Sequence, residues 1–186
     1  MRRILAGYSQ VEFVGINDVP GYPEPVESGA TFAENALIKA WAGVRHTGLI
    51  TVADDSGLAV DALGGMPGVL SARWAGRRRD DAANLNLVLD QLADVPAERR
   101  GAAFVCAAAV ATPAGAQRVT HGLMRGRIVD APAGAGGFGY DPIFIAEGQT
   151  KTNAELTAAE KDALSHRGQA FAALAAELSD LLGGAE

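Results

Sequence analysis

Apolar residues recur along this chain at two different spacings, and together these predict a fold that mixes helices and strands. The spacing of an amphipathic helix runs through residues 31–46, through a segment that Asp80 or Asp81 would cap, and through residues 165–182. Other segments are typical of strands, and they occupy residues 11–16, 49–53, 102–112, 117–124 and 143–145. The fold class that follows is α/β.

Polar residues support the first predicted helix. Thr31 and Glu34 have the spacing of a capping box, in which each side chain accepts a hydrogen bond from the other residue's backbone. Asn35 and Lys39 lie four residues apart, so they share a face of this helix. That face is separate from the apolar one.

Turn-forming residues define the connections. Pro113-Ala114-Gly115 would fold residues 102–112 back onto residues 117–124 as a hairpin, which implies antiparallel pairing within the sheet. Residues 20–29 and 134–139 are rich in glycine or proline and are predicted to be loops.

Composition narrows the functional classes. The 186 residues carry a formal net charge of -6, which disfavours a nucleic-acid-binding protein because such proteins usually present a basic surface. The single cysteine, Cys106, lies in an apolar run and is expected to be a buried packing residue without a disulfide. No apolar stretch reaches the length of a membrane span. We therefore expect one domain over residues 1–186, in the cytoplasm, with no membrane or nucleic-acid partner.

The most informative segment is VADDSGLAVDALGGMPGVLSARWAG, at residues 52–76. Residues 49–53 predict a strand that ends at two adjacent carboxylates, Asp54 and Asp55, followed by Ser56. Active sites in α/β proteins often lie where strands end in such turns. Paired carboxylates there suit Mg²⁺, which prefers oxygen ligands. Taken alone, the same residues would equally fit an ordinary Asx turn.

Other polar residues outside the predicted core have matching chemistry. Ser165-His166-Arg167 opens the last helix, where backbone N–H groups favour anions. Metal-binding acids, phosphate-binding cations, an aromatic ring and polar groups that can read a base together describe a nucleoside triphosphate site. The residues concerned are Glu24, Glu27, Lys39, Asp54, Asp55, Lys161, Arg167 and the segment Phe138-Gly139-Tyr140-Asp141.

Four blocks give the chain a specific resemblance to the Ham1/ITPA family of inosine and xanthosine triphosphate pyrophosphatases. They are TFAENALIKA at 31–40, DDSGLAVDALGGMPGVLSARWAG at 54–76, GGFGYDPIF at 136–144 and AELTAAEKDALSHRGQA at 154–170. The resemblance implies an elongated mixed β-sheet flanked by helices, with two lobes and a central cleft. It also implies a homodimer that uses Mg²⁺ to hydrolyse purine nucleoside triphosphates such as dITP, ITP and XTP to the monophosphate and pyrophosphate.

By position in these blocks, the resemblance assigns the phosphate end of the substrate to residues near the paired acids. Asp55 matches the family's general base and metal-linked acid. Glu27 matches the second metal-associated acid, with Glu24 as the alternative loop acid. Lys39 matches a triphosphate contact, and Ser56 matches a substrate-contacting serine.

A second set of residues matches the base-binding motifs of the family. Phe138 is expected to stack on the base, whereas Tyr140 also suits a packing role beneath the loop. Donors aimed at a 6-keto oxygen would face the 6-amino group of adenine and go unpaired, so such a site strongly rejects adenine. The set comprises Phe138, Gly139, Tyr140, Asp141, Lys161, His166 and Arg167.

The chain departs from the family pattern at its start. The family's first strand and its Thr/Ser-Gly-Asn-x-x-Lys phosphate loop have no counterpart here, and residues 1–5 resemble the helix that follows that loop. From this we expect weak triphosphate binding.

Two other functions stay open on the sequence. One is a phosphatase with an aspartyl nucleophile, of the haloacid dehalogenase type, which would release orthophosphate. Such an enzyme needs a second acid two residues after the first, where this chain has Ser56 and Gly57. The other is a non-catalytic nucleotide-binding relative.

Overall fold

The computed structural model describes residues 12–183, and these form an α/β fold as the sequence predicts. The expectations for residues 1–5 and for the N-terminal phosphate loop lie outside the described residues. The helices are α1 (Phe32–Thr47), α2 (Asp81–Gln91), α3 (Ala158–Leu164) and α4 (His166–Gly183). The strands are β1 (Thr51–Val60), β2 (Gly101–Ala111), β3 (Gln117–Ile128) and β4 (Phe144–Ala146).

The four strands form one sheet in the order β1-β2-β3-β4. β3 and β4 pair antiparallel, with Ile128 opposite Phe144. A tight turn joins β2 to β3, and the Thr112 N–H donates to the Ala116 carbonyl across it at 2.9 Å. This turn confirms the predicted hairpin.

The chain divides into two compact units. Among the described residues, unit 1 comprises residues 12–55, 106–122 and 167–183, and unit 2 comprises Ser56–Val105 and Leu123–His166. The divisions fall inside β1, β2 and β3, so each of these strands contributes residues to both units.

In unit 1, β2 packs against a different helix on each face, because successive strand side chains point to opposite sides. Its even-numbered residues from 106 to 110 share a buried cluster with Phe171 and Leu174 of α4. Its odd-numbered residues from 107 to 111 share another with α1, around Ala40. The sequence-based prediction that Cys106 is a buried packing residue is confirmed.

Unit 2 has its own apolar core, built around β1, α2, β4 and their connections. Leu58, Val88 and Leu92 are fully buried there together with Phe144. The Phe104 ring meets the Phe144 ring edge-on, with 4.7 Å between centroids. Tyr140, one of the predicted site residues, is part of this core.

The predicted strand at residues 11–16 is wrong. Residues 12–15 form no regular element, and the chain then makes a short 3-10 helix, Ile16–Asp18, closed by the Asp18 carboxylate accepting from the Gly15 N–H at 2.8 Å. Val11 lies outside the described residues. The local carboxylate contact competes with strand pairing in this segment.

The predicted end of the strand at residues 49–53 is also wrong. β1 begins at Thr51 and continues to Val60, so Asp54 and Asp55 lie within the strand and not at its end. The reason is that the chain remains half-buried past the acids, with Leu58 and Val60 in the core of unit 2. The glycine-rich turn comes only after these buried residues.

The predicted helix starts are close to the observed ones. Thr31 Oγ1 accepts from the Glu34 N–H at 3.1 Å, while the Glu34 carboxylate accepts from Ala30, one residue earlier than expected, at 2.7 Å. Asp80 caps α2 by accepting a backbone N–H at 3.0 Å, which leaves the Asp81 carboxylate for another contact. In the described part of the chain, no helix combines the length and apolar character needed to cross a membrane.

Candidate active site

In unit 1, two carboxylates converge on one ammonium group, and we call Glu27, Lys39 and Asp55 the Lys39 cluster. Lys39 Nζ lies 2.7 Å from Asp55 Oδ1 and 2.8 Å from Glu27 Oε1. It also donates to the Asp54 carbonyl at 3.0 Å. The cluster joins α1, β1 and the loop before α1. Its two acids and one cation carry a net charge of about −1 when all three are ionised.

Asn35 forms hydrogen bonds both to Asp55 and to the loop that carries Glu27. It lies one helical turn before Lys39 and is 0% exposed. Its Nδ2 donates to Asp55 Oδ2 at 3.3 Å, and its Oδ1 accepts from the Gly29 N–H at 2.8 Å. A Cβ on Gly29 would lie only 2.8 Å from Asn35 Oδ1, so this approach requires glycine. Asn35 thus fixes Asp55 and the Glu27 loop to the same helix.

Burial and charge shift the protonation of the Lys39 cluster. Burial raises the pKa of Asp55 above its usual 3.8, and the Glu27 charge adds to this, although Lys39 and Asn35 oppose it. Burial alone would lower the pKa of Lys39, but hydrogen bonds to Asp55 and Glu27 outweigh it and raise the pKa above 10.5. Lys39 therefore stays charged at neutral pH, and Asp55 is a stronger base than an exposed aspartate.

A second ion pair lies beside the cluster in unit 1. Arg167, in the first turn of α4, places Nη2 2.7 Å from Asp54 Oδ1. The guanidinium also lies 5.8 Å from the centre of the Phe171 ring. Asp54 is therefore held by Arg167, while Asp55 is held by Lys39. Ser56, the next residue of β1, is exposed.

In unit 2, the buried carboxylate of Asp141 organises the loop that precedes it. One oxygen accepts from the Phe138 N–H at 2.8 Å and pairs with the Lys161 ammonium, and the other accepts from Asn153 Nδ2 at 3.3 Å. A Cβ on Gly137 would lie 2.3 Å from the Asp141 carboxylate, so the loop closes around it only with glycine there. Through these two contacts, the Asp141 carboxylate fixes the positions of Phe138 and Lys161.

The Phe138 ring stands clear of the unit 2 core. It is 77% exposed, which is unusual for so large an apolar side chain. Lys161 Nζ lies 4.9 Å from its centre, within cation–π range. The next N–H, that of Gly139, donates to the Asp81 carboxylate at 2.9 Å. The arrangement presents a flat ring and a cation side by side.

Two other predicted base-binding residues have packing roles in unit 2. Tyr140 is buried, and its hydroxyl donates to the Ser71 carbonyl at 2.8 Å. Burial raises the pKa of Tyr140, and the Asp81 charge adds to the effect. The half-buried His166 ring stacks on Phe104 with 5.2 Å between centroids.

Comparison with known proteins identifies the family of this chain. The model of the Ham1 family matches residues 1–177. The chain belongs to the Ham1 family. It is 62% identical to the dITP/XTP pyrophosphatase of Frankia alni, over 98% of this chain and 92% of that protein. The crystal structure of a nucleoside-triphosphatase (dITP/XTP pyrophosphatase) from Mycobacterium abscessus superposes with a TM-score of 0.80 at 62% identity, over 92% of this chain and 89% of the other.

More distant members of the Ham1 family share the fold. The Staphylococcus aureus Ham1 protein superposes with a TM-score of 0.80 at 39% identity, over 89% of this chain and 83% of the other. A HAM1 protein from Coxiella burnetii gives 0.79 at 43% identity, over 85% and 81%. The α/β fold is thus shared across members that differ at most positions.

Most of the predicted site residues fall into one group in each unit. Unit 1 brings together Glu27, Lys39, Asp55 and, through Asp54, Arg167. The alternative loop acid, Glu24, is exposed, and it is Glu27 that joins Lys39. Unit 2 brings together the predicted residues Phe138, Gly139, Asp141 and Lys161.

Sequence reasoning missed three residues that hold these groups in place. The helical spacing of Asn35 and Lys39 predicts a shared face but not the contact of Asn35 with Asp55. The sequence pattern predicts Asp81 only as a helix cap and gives no role to Asn153. Their contacts join residues 12 to 58 positions apart, and no local pattern reveals such pairs.

Proposed function

We propose that this chain hydrolyses non-canonical purine nucleoside triphosphates, dITP, ITP and XTP, to the nucleoside monophosphate and pyrophosphate. The observation that carries the proposal is the Lys39 cluster, in which two carboxylates meet one ammonium within 2.8 Å. The relatives at up to 62% identity that are named dITP/XTP pyrophosphatases support the same reaction and substrate class.

Glu27 and Asp55 would hold the Mg²⁺ that we propose as the cofactor. Their carboxylates already converge on one cationic atom, Lys39 Nζ, and they repel each other when both are charged. Within residues 12–183, no three His, Cys, Asp or Glu side chains are grouped to hold a metal ion. Mg²⁺ needs no such group, since it usually takes one or two carboxylates with water and substrate phosphates. When bound, it would supply positive charge against the triphosphate.

Asp55 is the general base of the proposed reaction. Its raised pKa favours proton transfer from water, and Asn35 and Lys39 fix its two oxygens. The water oxygen bonds to the α-phosphorus while the bond from this phosphorus to the α–β bridging oxygen breaks. The water proton passes to Asp55, and pyrophosphate leaves. The positive charge of Lys39 would offset the charge that develops on the leaving group.

The residues around Phe138 would bind the base. A flat, 77% exposed ring suits stacking on a purine, and Lys161 beside it carries donors suited to a 6-keto oxygen. Adenine presents an amino group at that position, which would leave the donors unpaired and lower its turnover.

Product analysis tests the proposal. The protein is incubated with Mg²⁺ and dITP, with dATP and dGTP in parallel. We expect dIMP and pyrophosphate, with dITP strongly preferred. Orthophosphate as the first product would support the aspartyl phosphatase instead. A folded protein that binds dITP without turnover would support the non-catalytic relative.

We also propose that the protein acts as a homodimer in the cytoplasm and binds neither nucleic acid nor membranes. The dimer carries over from the family resemblance, and the net charge of -6 supports the absence of nucleic-acid binding. Light scattering on the purified protein measures the oligomeric state, and a monomer mass would contradict the dimer.

A further inference from the structure

The loop that presents Phe138 is held by two carboxylates from different parts of unit 2. Asp141 accepts from the Phe138 N–H at 2.8 Å, and Asp81 accepts from the next N–H, that of Gly139, at 2.9 Å. Asp141 follows the loop directly, whereas Asp81 lies 58 positions earlier, at the start of α2. The proposed stacking ring therefore sits between two anchored backbone groups.

These anchors matter because little else fixes the ring. Gly137 and Gly139 flank Phe138 and have positive φ values of 71° and 58°. Glycines give a loop many alternative conformations, so an unanchored loop would be disordered more easily. The ring itself has few packing contacts, since it is 77% exposed. The backbone hydrogen bonds and the Lys161 contact therefore define where it lies.

Asp81 can hold the loop in one position because α2, the helix that carries it, is itself packed against the rest of unit 2. Asp80 supplies the capping oxygen of this helix, which leaves the Asp81 carboxylate to the loop. Asn84, one turn on, accepts from the Ala75 N–H at 2.7 Å and is buried. Val88, a further turn along, lies in the unit 2 core.

We infer that Asp81 is a positioning residue for base recognition: it fixes the Gly139 amide and thereby holds the Phe138 ring where a purine would stack. The inference rests on the proposed function, because it assumes that Phe138 contacts the base. Asp81 acts through Phe138 and does not touch the reacting phosphates.

The inference is tested with Asp81→Ala, Phe138→Ala and the double variant, each measured for KM and kcat with dITP and Mg²⁺. Removing one charged hydrogen-bond acceptor should raise KM by about fivefold with kcat unchanged. Removing the stacking ring should raise KM by roughly tenfold or more. The double variant should be no worse than Phe138→Ala alone, because Asp81 has no ring left to position.

Two further variants separate positioning from charge. Asp81→Asn keeps an acceptor oxygen and should restore most of the wild-type KM. Asp90→Ala removes an exposed charge from the same helix and should leave KM unchanged.

The outcomes are distinguishable. Asp81→Ala with a wild-type KM, or a double variant whose KM is the product of the two single effects, overturns the inference. The same holds if Asp81→Asn is as impaired as Asp81→Ala, since an acceptor is then not what matters. An unchanged KM in Phe138→Ala instead overturns the proposed stacking of the base. Should Asp81→Ala not fold, Asp81→Leu, which is close to aspartate in size and has no acceptor oxygen, gives the same test against Asp90→Leu.

Discussion

The two groups of candidate site residues are built in opposite ways. In unit 1, Asp55 is only 8% exposed, its charge is paired with Lys39, and it accepts a hydrogen bond from the amide of Asn35. In unit 2, Phe138 is 77% exposed and is held by hydrogen bonds to its backbone, with Lys161 beside its ring. One group buries charged groups that are costly to leave unpaired, and the other exposes an apolar ring that is costly to leave in water.

This contrast assigns the proposed proton transfer to the Lys39 cluster and the proposed base binding to the residues around Phe138. A buried carboxylate can have its pKa raised and its oxygens fixed, which a proton-transfer step requires. An exposed ring on an anchored loop can stack on a base with little rearrangement. Changes in the Lys39 cluster should therefore affect kcat or stability, and changes around Phe138 should affect KM.

Asp55→Asn should have the largest effect. Without the carboxylate the site loses its proposed general base and one of its two proposed Mg²⁺ ligands, so kcat should fall by about 10²- to 10⁴-fold and KM should change by much less. Steady-state kinetics with dITP measure both. Asp90→Asn, an exposed change of the same type on α2, should be fully active. An Asp55→Asn enzyme that keeps a tenth of the wild-type kcat would mean that another group accepts the proton.

Lys39→Met should reduce stability, in addition to the loss of kcat that follows from the role proposed for Lys39. It leaves Glu27 and Asp55 close together with no cation, and we expect a loss of about 1–3 kcal/mol in the free energy of unfolding without Mg²⁺. Urea unfolding in EDTA measures it, and Lys151→Met, at an exposed position, should cost under about 0.5 kcal/mol.

Adding Mg²⁺ to the same unfolding experiment tests whether the ion binds at Glu27 and Asp55. Added Mg²⁺ should stabilise Lys39→Met more than the wild type, because a divalent cation can neutralise the two carboxylates that the variant leaves unpaired. Equal stabilisation of both proteins would mean that Mg²⁺ does not bind at Glu27 and Asp55.

Local patterns were enough to predict the α/β class and the elements that carry the Lys39 cluster. The Thr31 cap and the spacing of Asn35 and Lys39 follow from helix geometry alone, and both are observed. The hairpin between β2 and β3 follows from its turn residues. These features depend on neighbours within a few positions.

Features set by tertiary packing were not predictable in this way. The placement of Asp54 and Asp55 inside β1 depends on the core that buries the rest of the strand. The contact of Arg167 with Asp54 joins residues 113 positions apart. A pattern along the chain shows that an acid and a cation are present, but only the packed structure shows which pairs with which.

The smallest expected effect concerns Tyr140 in unit 2, and it is a pH dependence of the free energy of unfolding. Tyr140→Phe removes the buried hydrogen bond to the Ser71 carbonyl, so near neutral pH the variant should be less stable than the wild type by about 1 kcal/mol.

The sign of the pH effect follows from the raised pKa of Tyr140. The folded protein keeps the phenol proton at pH values where the unfolded chain, with its ordinary pKa of 10.0, has lost it. The unfolded state then binds fewer protons, so the stability from Tyr140 is complete below pH 10.0 and is lost as pH rises above it.

Tyr140→Phe cannot titrate at this position, so the gap between the two proteins should close above that pH. Lys39 also loses its proton at alkaline pH, but it does so in both proteins and cancels in the difference. Urea unfolding of both from neutral to alkaline pH measures the gap. A gap that stays constant would mean that the Tyr140 hydroxyl is not held in a buried hydrogen bond, and the support beneath the Phe138 loop would then have to come from Asp81 and Asp141 alone.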